Sequence, residues 1–354
     1  MKNTARALAA SIVLVLAVPV SLYRPPKAQA ATWETTERIS VAPSQATTDG
    51  NSGEPSLSWD GRYVVFSSLA SNIVTGDSNG LRDIFLVDRE TGTRSRIGLP
   101  PAGEPNGHAR QPVISGDGRF VAFTSAASNL VSGDNNFLED VFVQDLQTGS
   151  IERISVNTAG DEANSASGDP AISFDGRYVA FVSLASNLSP GDTNGTWDIF
   201  IRDRATGRTK RVSKTPAGMP LNGASEKPSI SYDARYIAFQ TAATNLDPAD
   251  TTPFRDIYLA DLVSDTIERI SVPLDPGQAT DGDSSNPSVS SDGTKVAFVS
   301  LASNLVGGDL PSAPEVFVRD RSTDTTTRAS VASDGTPVEG NAGRPPYVQG
   351  TRVA

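Results

Sequence analysis

A unit of 57 to 59 residues recurs five times along the chain and begins a sixth time. An Asp-Gly marker shows it best, at Asp60-Gly61, Asp117-Gly118, Asp175-Gly176, Asp233-Ala234 and Asp292-Gly293, in steps of 57, 58, 58 and 59. A weaker copy, Gln349-Gly350, follows 57 residues further on. Each of the five markers follows a proline by five residues: Pro55, Pro112, Pro170, Pro228 and Pro287. Self-similarity at this period means one supersecondary unit stacked on copies of itself.

The third copy shows what the unit is. Pro170 to Ser173 is short and extended and runs into Asp175-Gly176, a hairpin turn signal. Arg177 to Val182 is aromatic and β-branched, a second strand. A long polar stretch from Ser183 to Trp197 follows. Asp198 to Asp203 is a third strand, Ala205-Thr206-Gly207 turns the chain, and Thr209 to Ser213 is a fourth. No helical periodicity appears in the unit.

Four antiparallel strands with alternating tight and long connections make a propeller blade. The first strands carry small serines at the crowded axis (Ser58, Ser115, Ser173, Ser231, Ser290). The second strands repeat Phe66, Phe123, Phe181, Phe239 and Phe298; the third repeat Phe85, Phe142, Phe200, Tyr258 and Phe317. Rings that recur this strictly are a packing rule, each worth roughly 1.5–3 kcal/mol when buried.

At this level of detail the units resemble the WD40-like propeller repeats of the TolB type. The matching text is Pro170-Ala-Ile-Ser-Phe-Asp-Gly-Arg-Tyr-Val-Ala-Phe181 and Asp198-Ile-Phe-Ile-Arg-Asp-Arg-Ala-Thr-Gly207, with counterparts in the other copies. The resemblance implies an all-β, six-bladed β-propeller of four-stranded antiparallel blades in a bacterial envelope protein. It departs from TolB in having no room for an α/β domain before the repeats, so TolB's role does not carry over.

The expected blades are 54–98, 111–156, 169–213, 227–272 and 286–331. Glu37-Arg38-Ile39-Ser40-Val41 matches the fourth-strand texts Glu152 to Val156 and Glu268 to Val272. It is therefore expected to complete a sixth blade shared between the termini, 36–41 plus 344–354. The chain ends at Ala354 inside that blade's second strand, which predicts an incomplete blade with open strand edges, and a truncated reading frame would explain it.

Residues 1–30 read as a secretory signal peptide. Lys2 and Arg6 precede an apolar run from Leu8 to Leu22, and Ala28-Gln29-Ala30 is an A-x-A cleavage site. The expected mature chain, 31–354, is exported to the periplasm, the cell surface or the medium and has no transmembrane segment. Losing Lys2, Arg6, Arg24 and Lys27 takes the formal charge from −11 to −15. So acidic a surface argues against nucleic acid as a partner. The chain has no cysteine, hence neither disulfides nor thiolate chemistry.

In an up-and-down meander the long second-to-third-strand loops and the blade linkers fall at one end. Loops on a rigid scaffold are where binding residues sit. These loops repeat an acidic pattern: Asp77, Asn79 and Asp83; Asp134, Asn136 and Asp140; Asp192, Asn194 and Asp198. One reading is loop architecture held by side-chain hydrogen bonds. The other is calcium, since D-x-N-G-x-x-D spaces oxygen ligands as extracellular calcium loops do. The fourth copy offers Asp250, Thr252 and Asp256, and the fifth Asp309, Ser312 and Glu315, a weaker set.

Departures from the repeat mark further candidates on this face. His108 is the only histidine. Phe137, Trp197 and Phe254 fall in the long loops, where aromatics either contact a ligand or pin the loop. Trp59 also stands at a non-repeated position. Lys210, Arg211 and Lys214 read as a solvated basic edge. The composition fits a non-catalytic module that binds an envelope or extracellular protein, peptide or glycan. The alternatives are a calcium-stabilised surface protein and a propeller hydrolase or lyase. One histidine, no cysteine and carboxylates that repeat in register leave little for catalysis.

Overall fold

The computed structural model describes residues 36–43, 46–308 and 313–331. The expected signal peptide, Asp309 and Ser312 of the fifth loop, and the C-terminal share of the sixth blade lie outside them. The chain divides into two units, Met1–Arg38 and Ile39–Ala354, and all twenty described strands belong to the second.

The strands form five four-stranded antiparallel meanders. The first blade is β1 (Ser52–Leu57), β2 (Tyr63–Ser68), β3 (Asp83–Asp88) and β4 (Arg94–Ile97). The second is β5 (Ala109–Ile114), β6 (Phe120–Ser125), β7 (Asp140–Asp145) and β8 (Ile151–Arg153). The third is β9 (Ser167–Ile172), β10 (Tyr178–Ser183), β11 (Asp198–Asp203) and β12 (Arg208–Arg211). The fourth is β13 (Ser225–Ile230), β14 (Tyr236–Thr241), β15 (Asp256–Asp261) and β16 (Thr266–Arg269). The fifth is β17 (Ser284–Val289), β18 (Lys295–Ser300), β19 (Glu315–Asp320) and β20 (Thr325–Arg328). No helix occurs among the described residues.

Consecutive first strands pack side by side, β1 on β5, β5 on β9, β9 on β13 and β13 on β17, so the blades fan around an axis. The core lies between blades. Val65, Ile84 and Ile97 of the first meet Ile114, Val121 and Phe123 of the second in one buried cluster. Within each blade the repeated rings stand directly opposite one another, as Phe181 on Phe200 with centroids 5.8 Å apart. Each such pair adds about 0.5–1.5 kcal/mol beyond its burial.

The repeated serines do a different job from the one expected. They lie just past the first strands. Ser58 Oγ donates to Asp60 Oδ1 at 2.6 Å and accepts from the Tyr63 amide at 2.9 Å. The same pair of bonds recurs at Ser115, Ser173, Ser231 and Ser290. They cap the tight turn, leaving the axis to other residues. Ala234 holds the turn's left-handed conformation (φ 59°) where the other copies have glycine.

Residues 36–43 form no strand pairing among the described residues. Ile39 nevertheless packs against the cluster of Phe66, Ala70, Ile73, Phe85 and Val87. That is how Ile154, its counterpart in the second blade, packs with Phe181 and Phe200 of the third. The backbone bend also matches: Val41 N donates to Ile39 O at 2.9 Å, and Val156 N to Ile154 O at 2.8 Å.

Candidate functional site

The long-loop end is organised by an arginine in each blade. Arg96, Arg153, Arg211, Arg269 and Arg328 end or nearly end the fourth strands and recur in register with the repeat. In the first blade Arg96 Nη1 meets Asp77 at 2.9 Å and Asp83 at 3.2 Å, while Nη2 meets Glu104 at 2.7 Å. In the second, Arg153 Nη1 meets Glu162 at 2.8 Å, Asp134 at 3.4 Å and Asp140 at 3.8 Å. In the third, Arg211 Nη1 lies 3.3 Å from Asp192 and 4.0 Å from Asp198. Arg211 is buried, so the expected solvated basic edge is corrected at that residue: its guanidinium is drawn inward by carboxylates that cannot be buried unpaired.

The loop asparagines complete these knots. Asn136 Oδ1 accepts from the Leu138 amide at 2.9 Å, and its Nδ2 donates to Asp140 Oδ2 at 2.9 Å. Asn194 does the same for Thr196 and Asp198, and Asn79 accepts from the Leu81 amide. The fourth blade solves the joint differently. Thr252 stands in place of the asparagine, and Tyr258, where the other copies have phenylalanine, donates its hydroxyl to Asp250 at 3.0 Å.

Burial outweighs the guanidinium at the innermost carboxylate of the first four knots, Asp83, Asp140, Asp198 and Asp256. Asp83, Asp198 and Asp256 are each pushed up to about 6, chiefly by desolvation. The donor set bears directly on calcium. A guanidinium occupies the point where the carboxylates converge, and the amides of Asn136 and Asn194 turn N–H, not oxygen, toward it. Among the described residues no group of three or more acidic or histidine side chains is placed to hold a metal ion.

The axis carries a second constellation. The residue before each proline, Glu54, Gln111, Asp169, Lys227 or Asn286, has φ between 47° and 55°. A bulge in each first strand sits at this point. Left-handed backbone costs a non-glycine residue roughly 1–2 kcal/mol, so repeated strain here singles out the position. Some of these side chains latch neighbouring blades. Glu54 Oε2 accepts from the Gln111 amide at 2.8 Å, and Gln111 Oε1 from the Asp169 amide at 3.1 Å. Lys227 has no acceptor to offer, and in its blade Gln240 Oε1 receives the Asn286 amide at 3.1 Å instead. Lys227 Nζ turns to Asp169 at 2.9 Å.

Gln111, Asp169, Lys227 and Asn286 line an axial cavity of about 770 Å³. At the tight-turn end, Trp59, Phe174 and Tyr232 gather on it. Phe174 stacks on Tyr232 with centroids 4.1 Å apart, and Trp59 stands edge-on to both. Backbone bonds run from blade to blade beneath them: Trp59 N to Gly116 O, Asp117 N to Phe174 O, Phe174 N to Tyr232 O and Tyr232 N to Ser291 O. Gly116 is required by close approach, because a Cβ there would lie 2.1 Å from the Phe174 ring. Only Trp59 of this cluster stood out in the sequence. The shared position just after each repeated serine was the signal for the others.

The remaining candidates separate. His108 Nδ1 accepts from the Arg82 amide at 2.9 Å, as Asp283 accepts from Arg255 in the fourth blade, so His108 is a loop-to-linker joint. Trp197 is half-buried and packs on the cluster of Val212, Leu221 and Ile237. Phe254 is 37% exposed and Phe137 is 80% exposed. The sequence grouped these three aromatics; the structure pins one and presents the other two.

No protein-family model matches the chain, and no curated protein does. Solved structures do. The β-propeller domain of the Trilobed protease from Pyrococcus furiosus matches at 15% identity and TM-score 0.50, over 80% of this chain and 72% of that one. A putative TolB from Agrobacterium tumefaciens matches at 18% identity and TM-score 0.49, over 79% of this chain and 81% of that one. TolB from Acinetobacter baumannii matches at 18% identity and TM-score 0.45, over 79% of this chain but only 54% of its own length. At these identities the likeness is one of fold, and with five meandering blades on a common axis the fold of this chain is a β-propeller.

Proposed function

We propose that the chain is an exported, non-catalytic propeller that binds a protein or peptide of the envelope or extracellular space on its long-loop face. The observation that carries this reading is where large apolar side chains meet solvent. Leu69, Leu99, Phe137, Leu138, Met219, Phe254, Leu274 and Leu301 are exposed on long loops and linkers, against Leu57, Tyr232 and Val263 at or beside the tight turns. A meander has no structural need to sort exposed apolar side chains by end, whereas a binding face does. The knots below hold those loops in one arrangement, which lowers the entropy lost on binding.

A protein or peptide fits better than a glycan. Stacking on sugars needs free aromatic faces. The axial aromatics have turned theirs toward each other and Trp197 is packed into the core edge, which leaves Phe137 and Phe254 as the exposed rings among the described residues of the long-loop face, with no indole among them. Export rests on the signal-like residues 1–30, and no helix among the described residues is long and apolar enough to cross a membrane.

The test is to probe the purified chain against arrayed envelope and extracellular proteins, their peptides and glycans, and to map any binder by hydrogen exchange. Protection confined to residues 69–82, 126–139, 184–197 and 242–255 and to the blade linkers is expected. Protection on the tight turns, or turnover of a model peptide or glycoside abolished by a carboxylate substitution, would sink the reading.

A further inference from the structure

Phe137 breaks two rules at once. It stands three residues before the third-strand aspartate, the place held by Gly80 and Gly195 in the neighbouring blades. Those glycines have φ of 67° and 64°, and Phe137 is held at 59°. A bulky residue in left-handed backbone is strained, and here the side chain is 80% exposed, so it gains no burial in return. A position held by glycine in both neighbouring blades has been given a large aromatic side chain.

The loop presents this ring rigidly. Asn135 N donates to Glu162 Oε2 at 3.2 Å, and Arg153 holds that same glutamate at 2.8 Å. Asn136 Nδ2 donates to Ala163 O at 3.1 Å as well as to Asp140, and its Oδ1 takes the Leu138 amide. The phenyl group therefore projects from a backbone fixed on both sides. A large, pre-organised aromatic is the type of group that dominates binding energy at protein interfaces.

Resting on the reading of the long-loop face as the binding face, we propose that Phe137 anchors a docking surface for a folded protein partner. The partner offers the ring an apolar pocket rimmed by basic side chains. The pocket follows from the isolated, rigid ring. The basic rim follows from charge: Glu139 is paired with Arg110, but Asp134, Asp140 and Glu162 share the single Arg153 beneath the loop, so acids outnumber cations there, and the chain carries a formal charge of −11.

The experiment installs a photoreactive phenylalanine analogue at position 137 of the full chain, with a control at Val263, and irradiates it with envelope extract of the producing cells. A single protein adduct at 137 and none at 263, competed by unlabelled wild-type chain but not by Phe137→Gly, is expected. The purified partner should then bind Phe137→Gly about 30-fold more weakly than wild type, in keeping with loss of a hot spot. Phe137→Gly restores the neighbours' residue, so its Tm should be unchanged or raised by up to about 2 °C. A lipid adduct, equal competition by both chains, or a fall in Tm of several degrees would overturn the proposal. If a partner binds the loop face equally with and without Phe137, the anchor fails while the wider reading stands. If nothing binds that face, both fail.

Discussion

The arginine knots and the axial ring are built on the same repeat in opposite ways. In the knots the loops differ in sequence from copy to copy, yet arginine and an acidic partner return in every described copy. At the axis the backbone is the same five times, with φ near 50° before a proline, yet the side chains are Glu, Gln, Asp, Lys and Asn. A recurring side chain marks a joint with one chemical solution. A recurring backbone with unlike side chains marks a joint that each pair of blades solves by itself, as Lys227 with Gln240 does. The distinction separates architecture from the places where a copy has been released for other work.

Breaking a knot should have the largest effect. Arg153→Met removes the guanidinium from Glu162, Asp134 and Asp140 and leaves buried carboxylates uncompensated. A loss of about 3–5 kcal/mol is expected, read by denaturant unfolding. Millimolar calcium should leave the wild-type Tm unmoved and raise that of Arg153→Ala, where the convergence point is vacated. A wild-type shift would show that these loops hold calcium alongside arginine.

pH should act on the knots next, and its sign is fixed. Asp83, Asp198 and Asp256 have folded values near 6, above the ordinary carboxylate value, so between about pH 4 and 6 the folded chain binds more protons than the unfolded one. Stability contributed by the protonated form is present at low pH and lost as pH rises through 6. The rim pairs oppose this at lower pH. Arg62, Arg119 and Arg177 hold Asp88, Asp145 and Asp203 at about 2, and that stability disappears as pH falls toward 2. Tm should therefore rise by several degrees from pH 7 to pH 5 and collapse below about 3. A Tm that falls steadily from pH 7 downward would show that the knot carboxylates stay ionised.

Much of this fold was legible in the sequence because it repeats. The turn markers, the stacked rings Phe66 to Phe317 and the strand order all follow from register. The knots were half legible. The aspartates and asparagines drew notice as a loop pattern, but their partner did not, since Arg96 and its copies lie in the next strand pair and only the hairpin folds them back. The axial joints were hidden for another reason. Glu54, Gln111, Asp169, Lys227 and Asn286 share no chemistry, so alignment by residue type passes over them, and only the backbone angle unites them. Phe137 was noticed as an aromatic, but its strain is a property of the backbone alone.

At the tight-turn end, Gly116→Ala drives a methyl into Phe174, whose ring atom lies 2.1 Å from the Cβ position. A destabilisation of about 1–3 kcal/mol is expected from overpacking. Adding Phe174→Ser, the residue type that Ser291 supplies in the fifth blade, should recover most of it. Failure of the second change to rescue would mean that the glycine serves the turn and not the ring.

The smallest effect tests the comparison most sharply. Gln240→Val gives the fourth blade the residue found at Val182 and Val299 and strands the Asn286 amide, for a loss of about 1–2 kcal/mol. Lys227→Gln in the same chain supplies the acceptor from the pre-proline position, as Gln111 does for Asp169. If each axial joint needs one acceptor and is indifferent to which strand provides it, the double variant is more stable than Gln240→Val alone, with a coupling of about 0.5–1 kcal/mol in a double-mutant cycle. Additive losses would mean that Lys227 is retained for its pairing with Asp169, and that the axial ring is held together by charge, blade to blade, more than by hydrogen bonds to the strained backbone.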